Sequence, residues 1–298
     1  DALPIYTEQE AIVKTQNFSR INFRVNLDHK ISKSLSFGTS NTISRTVRSL
    51  SRTANSPKGI LQASVHTATL LPIYNADGSY AKYGIFDNIL ALIENNDHHA
   101  YGLRTINNFY AKWNILNNLS FKSSISADLN NYHEKRYFNT QVADGAGTNG
   151  AATDATTKDQ TWVAEQLLNY SSSVLKDGFL SVFLGNTIQK NNFERESINA
   201  SGFPSDQLHR IASASITSGS TSGSSSGLIS YFGGANFSYL ERYSADVNVR
   251  ADASSRFGTS NRWGYFPSFG ASWRLTQEPW LKDKIKALNE LKLKSSHG

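Results

Sequence analysis

The chain contains no cysteine. That one absence removes disulfide frameworks, cysteine zinc sites and thiol nucleophiles, and it leaves the redox compartment undetermined. No run of 18 uninterrupted apolar residues occurs, so membrane-spanning helices are not expected. A membrane β-barrel stays open, because its strands alternate and their mean hydropathy looks soluble. No dense basic run is present either: 30 Lys and Arg against 24 Asp and Glu leave a formal charge of +6 spread along 298 residues. Nucleic acid is therefore not an expected partner. The first residue is Asp1 and no basic-apolar-small leader follows, so the sequence is expected to be a processed or excised piece. Walker loops, HExxH and dinucleotide fingerprints are absent, and no cofactor is expected.

What is present is alternation. In FSRINFRVNL, residues 18–27, Ile21, Phe23, Val25 and Leu27 fall on one side, and Arg20, Asn22, Arg24 and Asn26 on the other. Period two means strand. The turn DHKISKS leads into LSFGTSNTISRTVRS, from Leu35 to Arg48, and the pair reads as a long hairpin. Further pairs follow at 98–113 with 119–132, 160–174 with 179–189, and 227–240 with 244–254. RWGYFPSFGASWRL makes a ninth strand and ELKLKSS, 290–296, begins a tenth. These strands run to roughly 10–15 residues, against about 5 or 6 in soluble sheets.

The connections alternate too. Turns within pairs are short, whereas the links at about 50–97, 136–159, 190–226 and 254–262 are longer. The segment TQEPWLKDKIKALN, 276–289, is the exception: it falls on the short side, yet is long enough to form a helix. Short turns at one end and long loops at the other mark an up-and-down barrel in an outer membrane. The expected fold is therefore all-β, an antiparallel transmembrane barrel segment of about ten strands. A large soluble β-sandwich is the alternative.

Faces follow from the alternation. Tyr243, Ala245, Val247, Val249 and Ala251 form an apolar row against Ser244, Asp246, Asn248, Arg250 and Asp252; Tyr265, Phe269, Ala271 and Trp273 continue it against Ser268, Gly270, Ser272 and Arg274. An Arg or Lys at the lipid midplane costs roughly 2–4 kcal/mol, so the polar rows must face a wet lumen. The lumen-facing candidates are Arg20, Asn22, Arg24, Asn26, Asp246, Asn248 and Arg250. Tyr101, Phe109, Tyr110, Trp113, Trp162, Tyr170, Tyr239 and Tyr243 sit near strand ends, as interfacial girdles require.

Other features carry less. Residues 60–71 are helix-like behind Pro57, and a turn is expected at Asn75 to Gly78, which lacks the carboxylates of a calcium loop. GAGTNGAATDATT and SASITSGSTSGSSSG are expected to be flexible. Gly223-Ser224-Ser225-Ser226-Gly227 matches the nucleophile-elbow pattern by chance, in a Ser-Gly tract without the strand-turn-helix context. His98 and His99 are adjacent, so on a strand they point to opposite faces and do not share a metal. Asp246, Arg250 and Asp252 favour structural ion pairing over substrate contact. Arg256, Trp263, Tyr265 and Phe266 form a rim cluster that would stack on a sugar or, the favoured reading, anchor a strand end.

RADASSRFGTSNRWGYFPSFGASWRLTQEPWLKD, Arg250 to Asp283, closely resembles a signature in the barrel of the SusC/RagA family of TonB-dependent outer-membrane transporters. NELKLKSSHG is similar to that family's next strand, with His297 where Tyr is usual. LLPIYNADGSY and NNFYAKWNILNNLSFKSSISAD resemble its first large outer loop and the strand pair after it. The resemblance implies a barrel of about 22 strands around an N-terminal plug. It also implies import of oligosaccharides or peptides, a SusD-type lipoprotein lid, energy from TonB, and a place in the bacterial outer membrane among its lipids. On that basis residues 1–298 are an internal slice of the barrel domain, without plug, TonB box or closing strand, and the first and last strands should each lack a neighbour. A non-transporting barrel in a secretion or adhesion assembly, or a barrel hydrolase, are the rival functions. No catalytic residue is assigned.

Overall fold

The computed structural model describes residues 2–52, 56–82, 84–282, 284 and 289–298. Eleven strands lie in one sheet in chain order, every neighbour antiparallel. They are β1 (Ala2–Glu10), β2 (Asn17–Lys30), β3 (Leu35–Ser49), β4 (Asp97–Leu116), β5 (Leu119–Phe138) and β6 (Ala151–Leu175), followed by β7 (Gly178–Ser201), β8 (Ser215–Tyr239), β9 (Tyr243–Ser254), β10 (Trp263–Arg274) and β11 (Lys292–His297). This is the up-and-down order of a barrel wall. β1 and β11 are its edges and do not pair with each other, as expected.

The register confirms the division of faces. Phe23 stands opposite Ile43, Phe109 opposite Ile125, Ala164 opposite Ile188, and Val247 opposite Phe269. These apolar side chains are not covered: Leu184 is 60 % exposed, Phe269 57 % and Val247 55 %. A sandwich would bury that face against a second sheet, whereas a membrane barrel gives it to lipid. Amides interrupt the row where Asn41 opposes Asn107 and Gln166 opposes Asn186. Near one end of the strands Tyr243 stacks on Trp273 at 6.4 Å, and toward the other Tyr231 stacks on Trp263 at 6.2 Å, giving two interfacial belts. Tyr110 does not belong to a belt. Its ring covers Gly38 on the polar face and its hydroxyl donates to Asp28; a Cβ at Gly38 would run into that ring.

Four expectations change. β1 was not foreseen because Pro4 interrupts it and its pattern is reversed, with Leu3 and Ile5 opposite Arg24 and Asn22. Proline is depleted in strands, so its presence argues against one in a reading by pattern. The second change concerns length: β6, β7 and β8 span 25, 24 and 25 residues, so the links shrink to 139–150 and 202–214. Third, the Ser-Gly tract is not a flexible loop but the upper half of β8. It is held by the ladder to β7 and by side-chain bonds such as Asn199 Nδ2 to Ser218 Oγ at 3.0 Å. Likewise GAGTNGAATDATT divides into the end of helix α3 (Ala143–Ala146), a turn and the start of β6.

Fourth, the helix-like run is shorter than expected. α1 covers Ile60–His66 and stops at Thr67, while α2 (Ile89–Glu94) follows later in the same link. Asn88 starts α2 by accepting hydrogen bonds from the backbone N–H groups of Leu90 and Ala91. Its amide nitrogen also donates to the carbonyls of Ile73 and Ala81. The turn at Asn75 to Gly78 is as expected, with Gly78 at a φ of +83°. The described residues of the 276–289 segment form a 3-10 turn at Leu275–Gln277 and further turns; residues 283 and 285–288, on which part of the expected helix falls, lie outside the described ones.

Candidate functional site

Between β2 and β9 the polar face is knitted by side-chain bonds across most strand pairs. Asn26 Oδ1 accepts from Ser40 Oγ at 2.6 Å, Asn22 Oδ1 from Ser44 Oγ at 2.5 Å, and Thr42 Oγ1 from Arg24 Nε at 3.2 Å. Arg20 shares that row, opposite Thr46. Six strands beyond β3, Arg250 Nε donates to Asp252 Oδ1 at 2.8 Å, and its Nη2 donates to Ser230 Oγ at 3.0 Å while the guanidinium lies over Phe232. Asn248 Nδ2 reaches Asp246 Oδ2 at 3.4 Å. All seven predicted polar residues thus share one side of the sheet, and Arg250 makes the ion pair expected of it.

The middle of this face was not named in advance. Arg104 grips Asp128 through two bonds, Nε to Oδ1 at 2.8 Å and Nη2 to Oδ2 at 2.5 Å. Asn191 Nδ2 donates to Asp159 Oδ1 at 2.7 Å and to Thr161 Oγ1 at 2.9 Å. The same period-two reading applied to 98–132 selects Arg104 and Asp128, whereas Asp159 and Asn191 lie just beyond the strands read at 160–174 and 179–189.

The rim cluster divides. Trp263 and Tyr265 stand on the apolar face beside Ala253 and Ala251, and Phe266 points to the other side, opposite Arg250. Arg256 lies beyond β9, its guanidinium 3.4 Å from Ser226 Oγ. The favoured reading, anchoring at the interface, fits Trp263 and Tyr265; a single stacking platform does not form. Gly223 to Gly227 lie within β8, so no nucleophile elbow exists there. His98 Nε2 lies 2.7 Å from Glu134 Oε1, while His99 faces Asp97 from the opposite side of the strand. No cluster among the described residues has the ligands to hold a metal ion.

At the end with the longer links, three connections are tied together. The backbone N–H of Ala143 donates to Asp87 at 3.0 and 3.2 Å, and Asp144 pairs with Lys58 at 2.6 Å and with Arg52. Burial pushes the Asp87 carboxyl above its ordinary range, against that hydrogen bond and the nearby Lys58. Asp206 accepts from Tyr137, at 2.8 Å, and from both the backbone and hydroxyl of Thr140. Burial opposes its ionisation, but those bonds outweigh burial and hold the carboxyl low. Tyr137, Ala152, Ala200 and Phe203 form a small buried core beneath. Beside it a polar cavity of about 680 Å³ is lined by Arg136, Phe138, Asp144 and Asn199. Arg136 Nε is buried there without a hydrogen-bond partner among the described residues, and its Nη2 donates to Thr153 Oγ1 at 3.2 Å.

Among the described residues the opposite end carries a clamp. Glu278 accepts from Tyr243 Oη at 2.6 Å, Trp273 Nε1 at 2.8 Å and Arg242 at 3.4 Å. The Tyr243 and Trp273 bonds hold its carboxyl below the usual glutamate range. Trp273 and Glu278 both belong to the signature segment, which therefore builds a belt and its fastening.

No protein-family model matches the chain. Over 98 % of its length it is 27 % identical to TonB-dependent receptor P26 of Formosa agariphila, covering 30 % of that protein. Over 71 residues, 24 % of the chain, it is 46 % identical to TonB-dependent receptor SusC of Bacteroides thetaiotaomicron. Among solved structures, the RagAB peptide transporter superposes with a TM-score of 0.85 at 19 % identity, over 99 % of this chain and 34 % of that one. The ferripyoverdine receptor of the Pseudomonas aeruginosa outer membrane gives 0.56 at 11 % identity, over 93 % of this chain and 36 % of that one. The chain spans about 30 % of the length of the curated receptors it matches along nearly its whole length.

Proposed function

This chain is a wall section of a SusC/RagA-type TonB-dependent outer-membrane barrel, and from that premise we propose that the whole protein imports an oligosaccharide or peptide across the outer membrane. The observation that carries the reading is the row of bonded polar groups on one face, from Asn22 and Asn26 through Arg104 and Asp128 to Arg250, behind a lipid-facing apolar face. That row lines the conduit. Its groups bond to one another, so the wall stays rigid and offers a plug many weak polar contacts from which it can be displaced. Residues 1–298 are part of the barrel domain, and plug and remaining strands belong elsewhere in the polypeptide.

The tied connections at the outer mouth, with Arg136, Phe138 and Asn199 around their cavity, supply the surface that meets substrate and a SusD-type lipoprotein lid. Named relatives are receptors and transporters, which favours import over hydrolysis. The test is growth and uptake on purified oligosaccharides and peptides, comparing the parent strain with deletions of this gene and of any adjacent lipoprotein gene. Loss of uptake of one substrate in both deletions supports the proposal. Unchanged uptake of every substrate that the parent strain takes up contradicts it.

A further inference from the structure

The outward face of β6, β7 and β8 changes character at Trp162. Below that tryptophan lies a groove of about 800 Å³ lined mainly by apolar side chains such as Leu168, Leu184, Val247 and Val249, together with Tyr231 and the amides of Gln166 and Asn186. It exists because Gly233 and Ala235, in register between Leu184 and Val249 and between Val182 and Val247, leave the space between larger neighbours unfilled. Level with Trp162 the register places Lys190 on β7, facing Gly227 on its far side, so nothing on β8 covers the lysine. One row higher stand Gln160, Asn192 and Ser225, with Ser225 Oγ donating to Asn192 Oδ1 at 2.8 Å. Above them Lys158 stands across from Glu194. Both lysines are exposed, and among the described residues neither has an ion-pair partner, Glu194 included.

A lysine beside a belt tryptophan, on the side of the sheet that meets lipid, lies in the headgroup layer rather than in open water. A cation near anionic headgroups there strengthens binding about fivefold. Three chemistries are stacked in order along the strands: an acyl-sized groove, an ammonium group at the interface, and amides and a hydroxyl suited to sugar hydroxyls, with a second ammonium group above. We propose that this face docks one phosphorylated, multiply acylated glycolipid of the outer leaflet, its phosphates on Lys190 and Lys158 and an acyl chain in the groove. The inference rests on which face meets lipid and is independent of what the protein transports.

The test uses the intact transporter in phosphatidylcholine nanodiscs containing a bisphosphorylated lipid A, its dephosphorylated form, or phosphatidylglycerol. Lipid retained through detergent exchange is measured by native mass spectrometry, and heat-modifiable gel migration reports that the barrel is folded. Retention of bisphosphorylated lipid A above both comparison lipids is expected. It should fall about tenfold or more in Lys158→Gln/Lys190→Gln. It should rise in Glu194→Gln and stay unchanged in Lys176→Gln, in the turn at the other end of β6. Equal retention of the dephosphorylated form, equal retention of phosphatidylglycerol, full displacement by inorganic phosphate, or an unaffected folded double variant would each overturn the proposal. If the double variant does not fold, the comparison of phosphorylated with dephosphorylated lipid on the parent protein decides alone.

Discussion

Val247 and Asn248 are neighbours in β9 with opposite surroundings, and arginine at each position separates the two faces. Val247 lies between Ala235 and Phe269 on the apolar side, midway between the belt residue Tyr243 and Ala251. Arginine there puts a guanidinium near the middle of the hydrocarbon layer at a cost of roughly 2–4 kcal/mol, a factor of about 30 to 700 in the folding equilibrium. Asn248 lies between Gly234 and Ser268 on the polar side, next to Asp246. Arginine there stays hydrated and gains a carboxylate neighbour, so its effect should stay within about 0.5 kcal/mol. Urea titration of the intact barrel refolded into vesicles, scored by heat-modifiable gel migration, reads both. Val247→Arg should lose most of its folded fraction under conditions where Asn248→Arg retains it. Equal losses would refute the assignment of the faces.

Three further outcomes follow from side chains at the two ends and on the polar face. The hydrogen-bonded Glu278 carboxyl has a depressed pKa, so its contribution is present above the ordinary glutamate value and is lost as pH falls through the lower folded value. Acidification below the glutamate range should therefore shift Trp273 fluorescence, and Glu278→Gln should lack that transition. Asp87 has a raised pKa, so docking of the 50–96 link onto 139–150 should strengthen as pH falls from the raised value toward the ordinary carboxylate range. Amide hydrogen exchange across residues 84–95 should show this, and Asp87→Asn should be pH-independent and protected at neutral pH. Gly38→Val forces the Tyr110 ring off β3 and should cost about 1–3 kcal/mol in the same urea titration.

Much of the wall was legible in the sequence because lipid on one side and water on the other impose alternation on most of its strands. Ile21 to Leu27 and Tyr243 to Ala251 show it without help from neighbours. Much of what the sequence hid lies outside the bilayer, where neither face is selected for apolarity. Residues 215–227 read as a flexible tract by composition, yet the ladder to β7 makes them strand. β1 was hidden by Pro4 and by apolar residues on the polar side. The outer mouth depends on pairings such as Asp206 with Thr140 and Lys58 with Asp144, far apart in the chain, to which no local pattern points. The rim cluster shows a different limit: adjacent Tyr265 and Phe266 were grouped as one surface, although period two sends them to opposite faces.

The most direct test of a lipid-facing row backed by a lumen-facing row uses the absence of cysteine in this chain. Single cysteines placed at each position from 244 to 252 in the intact protein, in native outer membranes, can be labelled with a membrane-impermeant maleimide after the periplasm has been opened. Labelling should alternate, high at 246, 248 and 250 and low at 247, 249 and 251, with a lipid-soluble reagent giving the opposite pattern. Uniform labelling along β9, or a maximum at 247 and 249, would contradict the account.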